Sequence, residues 1–566
     1  MTDLILLHPP SIYDFRQETI LYGPSSDLIP SSNVYELYPI GFASIAEYLK
    51  RAGYRVRIVN LAARMLTNPN FSAEKMIQRL RAPIFGIDLH WLVHCHGAIE
   101  IAKLVKKYHP EAKVVMGGLS ASYYHQQLLE HPEIDYVLRG DSTEEPFRQL
   151  MDCIIEKGEP DEIPNLVWRN NQGTTRINPF SHVPSDFSNI MINYYDNMVR
   201  SAIRYHDLAS YLPFKDWLHY PITAVLTCRG CTQNCVVCGG SASAFKHFYH
   251  REKPAFRSPH SVARDIKQIG HFSSGPIFIL GDLCQPENGY AYETLRLLQE
   301  DRVKNQLIFE LFSPVPRDLL DQMSLSCPNF CLEITPETHD PEIRQAAGKH
   351  YSNQDLEQTM SDALSAGCGR LDIFFMIGLP KQTPQSVMDT IDYCDYLLEK
   401  FRGDKRLSLF IAPLSPFLDP GSLGFEQPEH YGYRVLFRTL NEHRQALVAP
   451  SWKYSLNYET EWMTRQQIVD TAYKAILHLN RLKAKHGVIS PPLAELTKKR
   501  IQAASEMMHR IDGILASNNL EDLPRLKAEI DKINMLPISD KIQLELPVGL
   551  IKIKPWCYLW SWITRR

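Results

Sequence analysis

The chain has 566 residues, of which 44% are hydrophobic and 22% are charged, and its formal net charge is −3. This balance gives no electrostatic reason to expect a nucleic acid as partner, and the length favours more than one domain. The N-terminus lacks the features of a signal peptide, and no apolar run approaches the roughly 18 residues that a membrane span needs. The twelve cysteines are clustered rather than spread as a disulfide framework. We therefore expect a cytoplasmic protein without membrane spans.

The first 150 residues alternate short apolar runs with helical patterns. The runs that we predict as strands are 4–7, 56–59, 84–88, 114–118 and 136–140. This alternation predicts an N-terminal doubly wound parallel sheet of the Rossmann-like α/β class. Such sheets bind ligands at the carboxyl ends of their strands. The candidate binding residues at these ends are Asp88, His90, Gly117, Gly118, Ser120, Gly140 and Glu144.

A connector is predicted over 151–215, with a small hairpin at 165–173. A second alternation then defines a predicted domain at 216–425, followed by a mainly helical region at 426–566. The predicted strands of the second domain are 222–226, 276–282, 306–311, 329–334, 371–380 and 407–413. Six strand–helix units predict a partial (β/α)6 barrel, whose chemistry belongs at the carboxyl ends of the strands.

Four cysteines fall within eleven residues, directly after the first strand of this second domain: Cys228, Cys231, Cys235 and Cys238. Thiolates this close cannot all pair as disulfides without severe strain, but they can converge on a soft metal centre. Two zinc knuckles are one alternative, although zinc knuckles are usually separated by a dozen or more residues. A ferredoxin-like cluster held by all four cysteines is another, and it leaves no open iron.

The spacing Cys231-x3-Cys235-x2-Cys238, followed by Gly239-Gly240, resembles the cluster loop of radical S-adenosylmethionine (SAM) enzymes. The resemblance implies that these three cysteines hold a 4Fe-4S cluster, whose open iron binds SAM before an electron cleaves it to a 5'-deoxyadenosyl radical. Cys228 is then not a ligand. The chain departs from the family pattern at Val237, where an aromatic residue is common. By position, the resemblance places SAM contacts at Gly281, Asp282, Glu333, Arg344 and Gly378.

The N-terminal pattern Tyr38-Pro-x-Gly41, Gly117-Gly118 and Arg139-Gly140 resembles the cobalamin-binding domain that precedes many radical SAM cores. The resemblance implies that the seven strand-end residues bind cobalamin, with His90 as the candidate on the cobalt side. In the family signature Asp-x-His-x-x-Gly the histidine ligates cobalt. Here Val93 replaces the glycine, so we expect a cobalt without a histidine ligand. The alternative is a sheet that binds nothing and only docks.

Three functions stay open on the sequence. The first is cobalamin-dependent methyl transfer to a carbon atom. The second is radical SAM chemistry without methyl transfer, such as ring formation, carbon–carbon coupling or oxidation. The third is an electron-transfer or metal-binding protein that uses all four loop cysteines. Methyl transfer requires both cofactors to face one substrate, so we expect the carboxyl edges of the two sheets to share one cavity.

The partners expected from this resemblance are an electron donor such as flavodoxin or ferredoxin and a small-molecule or lipid substrate that the sequence does not specify. The C-terminal tail carries Trp556, Trp560 and Trp562 and ends with two arginines. This composition suits peripheral contact with a membrane interface, and packing of the chain terminus into the core is equally consistent with it.

Overall fold

The computed structural model describes residues 2–24, 32–170, 172–188, 190, 194–286, 289–327, 329–535, 545–546 and 554. The tryptophan-rich tail lies outside these residues. No helix in the described part of the chain is long and apolar enough to cross a membrane.

The N-terminal part is built on one seven-stranded sheet. Its strands are β1 (Leu4–His8), β2 (Val56–Asn60), β3 (Ile84–Asp88), β4 (Lys113–Gly117), β5 (Tyr136–Leu138), β6 (Leu166–Arg169) and β7 (Thr175–Ile177). The spatial order is β2-β1-β3-β4-β5-β6-β7. The first five strands are parallel, whereas β6 and β7 are added as an antiparallel hairpin. The predicted hairpin is present, and the sheet therefore runs past residue 150, where we had placed the end of the first domain.

Alternate residues of these strands point to opposite faces of the sheet. On β1, Leu4 and Leu6 pack in one apolar cluster, and Ile5 and Leu7 pack in another on the other face. Burial on both faces explains why the parallel strands read as continuous apolar runs. The helices of this part are α1 (Ile40–Arg51), α2 (Leu61–Thr67), α3 (Ala73–Arg79), α4 (Cys95–Tyr108), α5 (Leu119–Tyr123), α6 (His125–Leu128) and α7 (Glu144–Glu156).

The connector contains α8 (Tyr194–Tyr205) and leads to a six-stranded parallel sheet. Its strands are β8 (Thr223–Leu226), β9 (Ile277–Leu280), β10 (Leu307–Leu311), β11 (Cys331–Glu337), β12 (Arg370–Ile377) and β13 (Leu407–Pro413). Each strand pairs with the next one along the chain, from β8 at one edge to β13 at the other. This is the predicted partial (β/α)6 barrel. Its helices are α9 (Ala242–Phe248), α10 (Pro259–Phe272), α11 (Tyr290–Glu300), α12 (Arg317–Ser326), α13 (Pro341–Ala346), α14 (Asn353–Ser365) and α15 (Pro384–Lys400).

The region after the barrel is mainly helical, as predicted, and its described residues include a two-stranded antiparallel sheet of β14 (Tyr433–Val435) and β15 (Tyr458–Thr460). The longest helices are amphipathic, and α20 packs its buried face against α15 and β13. A capping box between Thr464 and Gln467 starts α20. The helices are α16 (Leu423–Glu426), α17 (Pro428–Tyr431), α18 (Leu440–Leu447), α19 (Trp452–Ser455), α20 (Arg465–Lys485), α21 (Pro491–Ala516) and α22 (Lys527–Asn534).

Candidate functional site

A cavity of about 720 Å³ lies between the carboxyl edges of the two sheets, and we call it the shared cavity. The N-terminal edge contributes Asp88, His90, Gly117, Gly118 and Gly140. The barrel contributes Cys228, Cys231, Cys235, Cys238, Gly240 and Gly281. For these residues, the predicted arrangement of two strand edges facing one cavity is present.

Two buried ion pairs hold the two edges together. Arg229, in the cysteine loop, donates from Nη1 to Oε2 of Glu144 at 3.0 Å, and Arg251 donates from Nη2 to Oδ1 of Asp141 at 2.9 Å. Burial opposes ionisation of Glu144, but the charge and hydrogen bonds of Arg229 lower the pKa of this carboxyl group. The Glu144–Arg229 pair therefore joins the N-terminal part of the chain to the cysteine loop. Glu144 does not line the shared cavity, and its predicted contact with cobalamin is not supported by its position.

Hydrogen bonds to neighbouring segments position the cysteine loop, and its thiols line the shared cavity. Val236 N donates to the carbonyl of Ala347 at 3.0 Å, and Gly239 N donates to Asp419 at 3.1 Å. The amides of Gln233 and Gly240 each donate at 3.3 Å to a sulfur, the first to Cys231 and the second to Cys238. Amides aimed at sulfur favour a thiolate over a thiol and tune an iron–sulfur cluster. Burial raises the pKa of the Cys231 thiol to about 11. Binding of a metal would stabilise the deprotonated thiolate at this position.

The fourth cysteine also reaches the cavity, although by a different route. Cys228 is buried, its thiol donates to the carbonyl of Gly230, and Gln285 Nε2 lies 3.7 Å from its sulfur. It packs beneath Gly281, where an added Cβ would lie 2.9 Å from the Cys228 sulfur and 2.6 Å from Thr227 Oγ1. Gly281 also has a φ of +90°. Only glycine therefore fits at this strand end, and its amide donates to Glu310 Oε2 at 3.0 Å.

Three other predicted SAM contacts lie outside the shared cavity. Asp282 is buried and accepts hydrogen bonds from the amides of Phe312 and Cys284, both at 2.7 Å, so it shapes the strand end. Gly378 lies under the hydroxyl of Tyr458. Glu333 lines a neighbouring cavity, whereas Thr335 and Glu337, further along β11, line the shared cavity.

Arg344 was predicted to reach the SAM carboxylate, but the structure does not bring it to the cavity. Its side chain is 0% exposed and donates to the carbonyls of Thr338 and Tyr351, which closes the loops around α13. Lys349 lines the cavity instead, and its Nζ lies 3.1 Å from Oε1 of Glu337. Gly348, which precedes Lys349, packs against the cysteine loop, since a Cβ there would lie 2.6 Å from the carbonyl oxygen of Asn234. We missed Lys349.

An apolar slot continues the shared cavity into the N-terminal sheet. It runs between the sheet and helices α1 and α7, and it is lined by Leu6, Phe42, Ile45, Gly86, Val115, Leu138 and Phe147. A Cβ on Gly41 would meet nothing within 4 Å, and one on Gly117 would meet only a carbonyl oxygen, so the slot has room beside both glycines.

Gly118 has a φ of +119° and packs against the backbone of His90. Ser120 does not line the cavity, since its amide and hydroxyl face the carbonyl of His90.

Three histidines surround Asp88 at the same edge. Asp88 Oδ1 lies 2.8 Å from His8 Nδ1, and Asp88 Oδ2 lies 2.9 Å from His90 Nδ1. Burial alone would raise the pKa of Asp88, but His8 and His90 outweigh it and hold this pKa well below its usual range. His94 donates from Nε2 to the carbonyl of Tyr35 at 2.9 Å, and burial lowers the pKa of its imidazole to about 3. Val93, in the position of the signature glycine, is buried.

Two protein-family models match the chain. Residues 31–150 match the B12 binding domain, and residues 225–394 match the radical SAM superfamily. The chain is 26% identical over 297 residues to the hopanoid C-3 methylase of Methylococcus capsulatus, and this match spans 50% of each chain. It is 23% identical over 474 residues to the cytidylyl-2-hydroxyethylphosphonate methyltransferase of Streptomyces wedmorensis, which covers 75% of this chain and 85% of the relative.

Solved structures share the fold at low identity. The methyltransferase TsrM from Kitasatospora setae, with cobalamin and a 4Fe-4S cluster bound, has a TM-score of 0.57 and 14% identity, covering 91% of this chain and all of TsrM. The cobalamin-dependent enzyme OxsB, with aqua-cobalamin bound, has a TM-score of 0.52 and 11% identity, covering 100% of this chain and 84% of OxsB.

The donor set of the shared cavity fits the cofactors of these families. Three thiols, two of them approached by backbone amides, suit an iron–sulfur cluster, and the apolar slot with its glycines suits the nucleotide tail of cobalamin. Lys349 places a cation beside the cysteine loop. This chain is therefore an enzyme that carries an N-terminal B12 binding domain and a radical SAM domain, with a 4Fe-4S cluster, SAM and cobalamin as its cofactors.

Proposed function

We propose that this enzyme transfers a methyl group from SAM to a carbon atom of a small-molecule substrate. The observation that carries the proposal is the shared cavity, which the carboxyl edges of both sheets line together. When bound, the cluster and SAM supply a carbon radical and cobalamin supplies the methyl group. The protein's part is to hold these groups in one water-poor space and to orient the substrate between them.

We assign proposed roles to the polar, thiol and glycine residues around the shared cavity. Cys231, Cys235 and Cys238 hold the cluster, and Cys228 supports the strand end beneath Gly281. The backbone at Gly281 and the Lys349–Glu337 pair receive the amino acid part of SAM. Gly117, Gly118 and Gly140 allow the backbone to approach cobalamin closely, and Asp88 with His90 forms the floor on the cobalt side.

The location and the electron donor are also proposals. A thiol-bound cluster with an open iron needs a reducing environment, which favours the cytoplasm and a donor of the flavodoxin or ferredoxin type. The relatives named above act on different molecules, among them a hopanoid and a cytidylyl phosphonate, so a lipid substrate is compatible with the family.

The proposal is tested on anaerobically purified enzyme reconstituted with iron, sulfide and cobalamin and supplied with dithionite as electron donor. We expect SAM to give both 5'-deoxyadenosine and S-adenosylhomocysteine, because radical formation and methyl donation each consume one SAM. Formation of 5'-deoxyadenosine alone would favour ring formation, coupling or oxidation. Formation of neither product by enzyme with a full cluster would favour an electron-transfer protein.

Replacing Lys349 with methionine should weaken SAM binding without loss of the cluster. A hydrogen bond to a charged group contributes about 1.5–3 kcal/mol, so the KM for SAM should rise roughly 10–100-fold. Lys349→Arg should recover part of this loss, and Lys381→Met, at an exposed lysine after β12, should have no effect. An unchanged KM in Lys349→Met would remove Lys349 from the SAM site. Iron content is measured in every variant.

The cobalt of the bound cofactor should lack a histidine ligand, because the buried side chain of Val93 replaces the glycine of the ligating signature. Electron paramagnetic resonance of the cobalt(II) form measures this directly, since a coordinated imidazole nitrogen splits the lines. We expect no such splitting from the protein and no change in His90→Ala. A nitrogen splitting that disappears in His90→Ala but persists in His96→Ala would show that His90 ligates cobalt.

A further inference from the structure

A second cavity, of about 570 Å³, lies beside the shared cavity, and we call it the inner chamber. Three parts of the chain enclose it. The inner face of the barrel contributes Phe278, Glu333 and Phe374, the N-terminal loop contributes Ser11 and Tyr22, and the region after the barrel contributes Leu447, Ser451 and Trp452. No residue of the cysteine loop, 228–240, lines the inner chamber.

The two cavities meet at a common wall. The residues that line both are His90, Glu310, Thr335, Met376 and Leu414. A molecule in the inner chamber therefore lies next to the space that the cluster loop and the N-terminal sheet edge share. This position suits a molecule on which the bound cofactors act, because reacting atoms must approach to within about 3–3.5 Å.

Several buried polar atoms of the chamber wall have no partner among the described residues. They are Ser11 Oγ, Tyr22 Oη, His94 Nδ1 and Ser451 Oγ. Ser11, His94 and Ser451 are each only 1% exposed. Folded proteins satisfy the large majority of buried polar side-chain atoms, so a group of exceptions around one cavity calls for a ligand or ordered water. These atoms come from separate segments of the chain and converge only in the folded protein.

Two acidic side chains line the inner chamber. Glu310 and Glu333 lie opposite each other on β10 and β11 in register, and no lysine or arginine is among the described residues that line the chamber. His94 Nδ1 is an acceptor, because Nε2 of the same ring donates to the carbonyl of Tyr35. The chamber is thus rich in acceptors, and an anionic ligand would face two carboxyl groups with no lysine or arginine among the described residues of the chamber wall.

The remaining wall is apolar and aromatic. Phe374 stacks on Phe410 with ring centroids 4.8 Å apart, and Trp452 is fixed by a hydrogen bond from Nε1 to the hydroxyl of Tyr473 at 3.0 Å. With its own N–H satisfied, the Trp452 ring offers an apolar face. A ring or hydrocarbon group that packs here loses its contact with water, and this burial of apolar surface favours binding.

We propose that the inner chamber binds the methyl acceptor, and that this acceptor is a neutral or cationic molecule with an apolar ring-containing body and hydroxyl or ammonium donors, without a phosphate or carboxylate. This inference rests on the proposed methyl transfer. The donors face Glu310, Glu333 and His94, the body packs on Phe278, Phe374 and Trp452, and the carbon that receives the methyl group lies at the wall between the two cavities.

The experiment uses full-length enzyme loaded with cobalamin and cluster, and three probes that share one ring system: naphthylethanol, naphthylethylamine and naphthylacetate. Equilibrium dialysis measures their binding. We expect the alcohol and the amine to bind, and the acetate to bind at least about tenfold more weakly. Glu333→Gln should weaken the amine about tenfold relative to the alcohol, whereas the same change at the exposed Glu495 should alter neither.

Ala412→Trp, which fills the inner chamber from β13, should abolish binding of all probes while iron content and the cobalamin spectrum show that the enzyme is folded and loaded. Binding of the acetate as tight as that of the alcohol, no binding of the alcohol and amine, or unaltered binding in Ala412→Trp would overturn the proposal. Binding is measured without turnover, so this result is distinguishable from a failure of the proposed function, which is seen as missing SAM products.

Discussion

Replacing Cys231, Cys235 or Cys238 with alanine is expected to remove the cluster and to abolish SAM cleavage. Each of these thiols lines the shared cavity, and their spacing matches three ligands of one cluster. With only two thiolates left, the cluster loses a ligand that the loop does not replace. Iron and sulfide per chain after anaerobic reconstitution, the visible absorption of the cluster and the yield of 5'-deoxyadenosine measure the effect.

Cys228→Ala is the matched control, because Cys228 lies in the same loop and also lines the cavity. We expect this variant to keep its iron and most of its SAM cleavage, with a modest loss from the gap left under Gly281. Loss of iron in Cys228→Ala together with full iron in Cys231→Ala would contradict the assignment. It would point to a cluster held by a different set of loop thiols.

The second large effect is expected in Glu144→Gln, which breaks the ion pair between the N-terminal sheet and the cysteine loop. Both side chains are buried, at 5% exposure for Glu144 and 8% for Arg229. Removing one partner of such a pair leaves an uncompensated buried charge and costs about 3–5 kcal/mol. We expect the first urea transition to move to lower concentration, as followed by circular dichroism.

Glu145→Gln is the control for this change, since Glu145 is the next residue of α7 and pairs with the partly exposed Arg148. It should cost less than about 1 kcal/mol. The pKa of Glu144 is lowered in the folded protein, so the pair stabilises the fold above the ordinary glutamate pKa of about 4.3 and this contribution is lost as the pH falls through the folded value. The wild type and Glu144→Gln should therefore converge in stability at low pH. Equal midpoints at neutral pH would contradict a stabilising role for the pair.

Much of the architecture was readable from the sequence because parallel strands buried on both faces appear as uninterrupted apolar runs. The strand from Ile84 to Asp88 and the one from Leu407 to Pro413 have the predicted bounds. The cysteine spacing and the strand-end glycines are equally local signals. A short loop brings its thiols together, and Gly118 and Gly281 adopt backbone conformations that favour glycine.

The roles of single charged residues could not be read in this way, because position in the sequence does not say where a side chain finds its partners. Arg344 and Lys349 are five residues apart, yet the first is closed off by backbone carbonyls and the second reaches the cavity. Glu144 follows a strand end, and this position suggested a contact with a ligand. In the structure its carboxylate is paired instead with Arg229, which is 85 residues away.

The sequence by itself determined the two folds and the cluster loop, since each rests on residues that are close together in the chain or on a regular alternation, and its resemblance to known families predicted the cofactors. Only the tertiary structure decided how the two sheets meet, which cation lies beside the cysteine loop, and that an acceptor-rich inner chamber exists. Those features depend on side chains from distant segments that converge at one point, such as Ser11, His94 and Ser451. Their convergence is set by the packing of whole domains, for which no stretch of sequence carries a local signal.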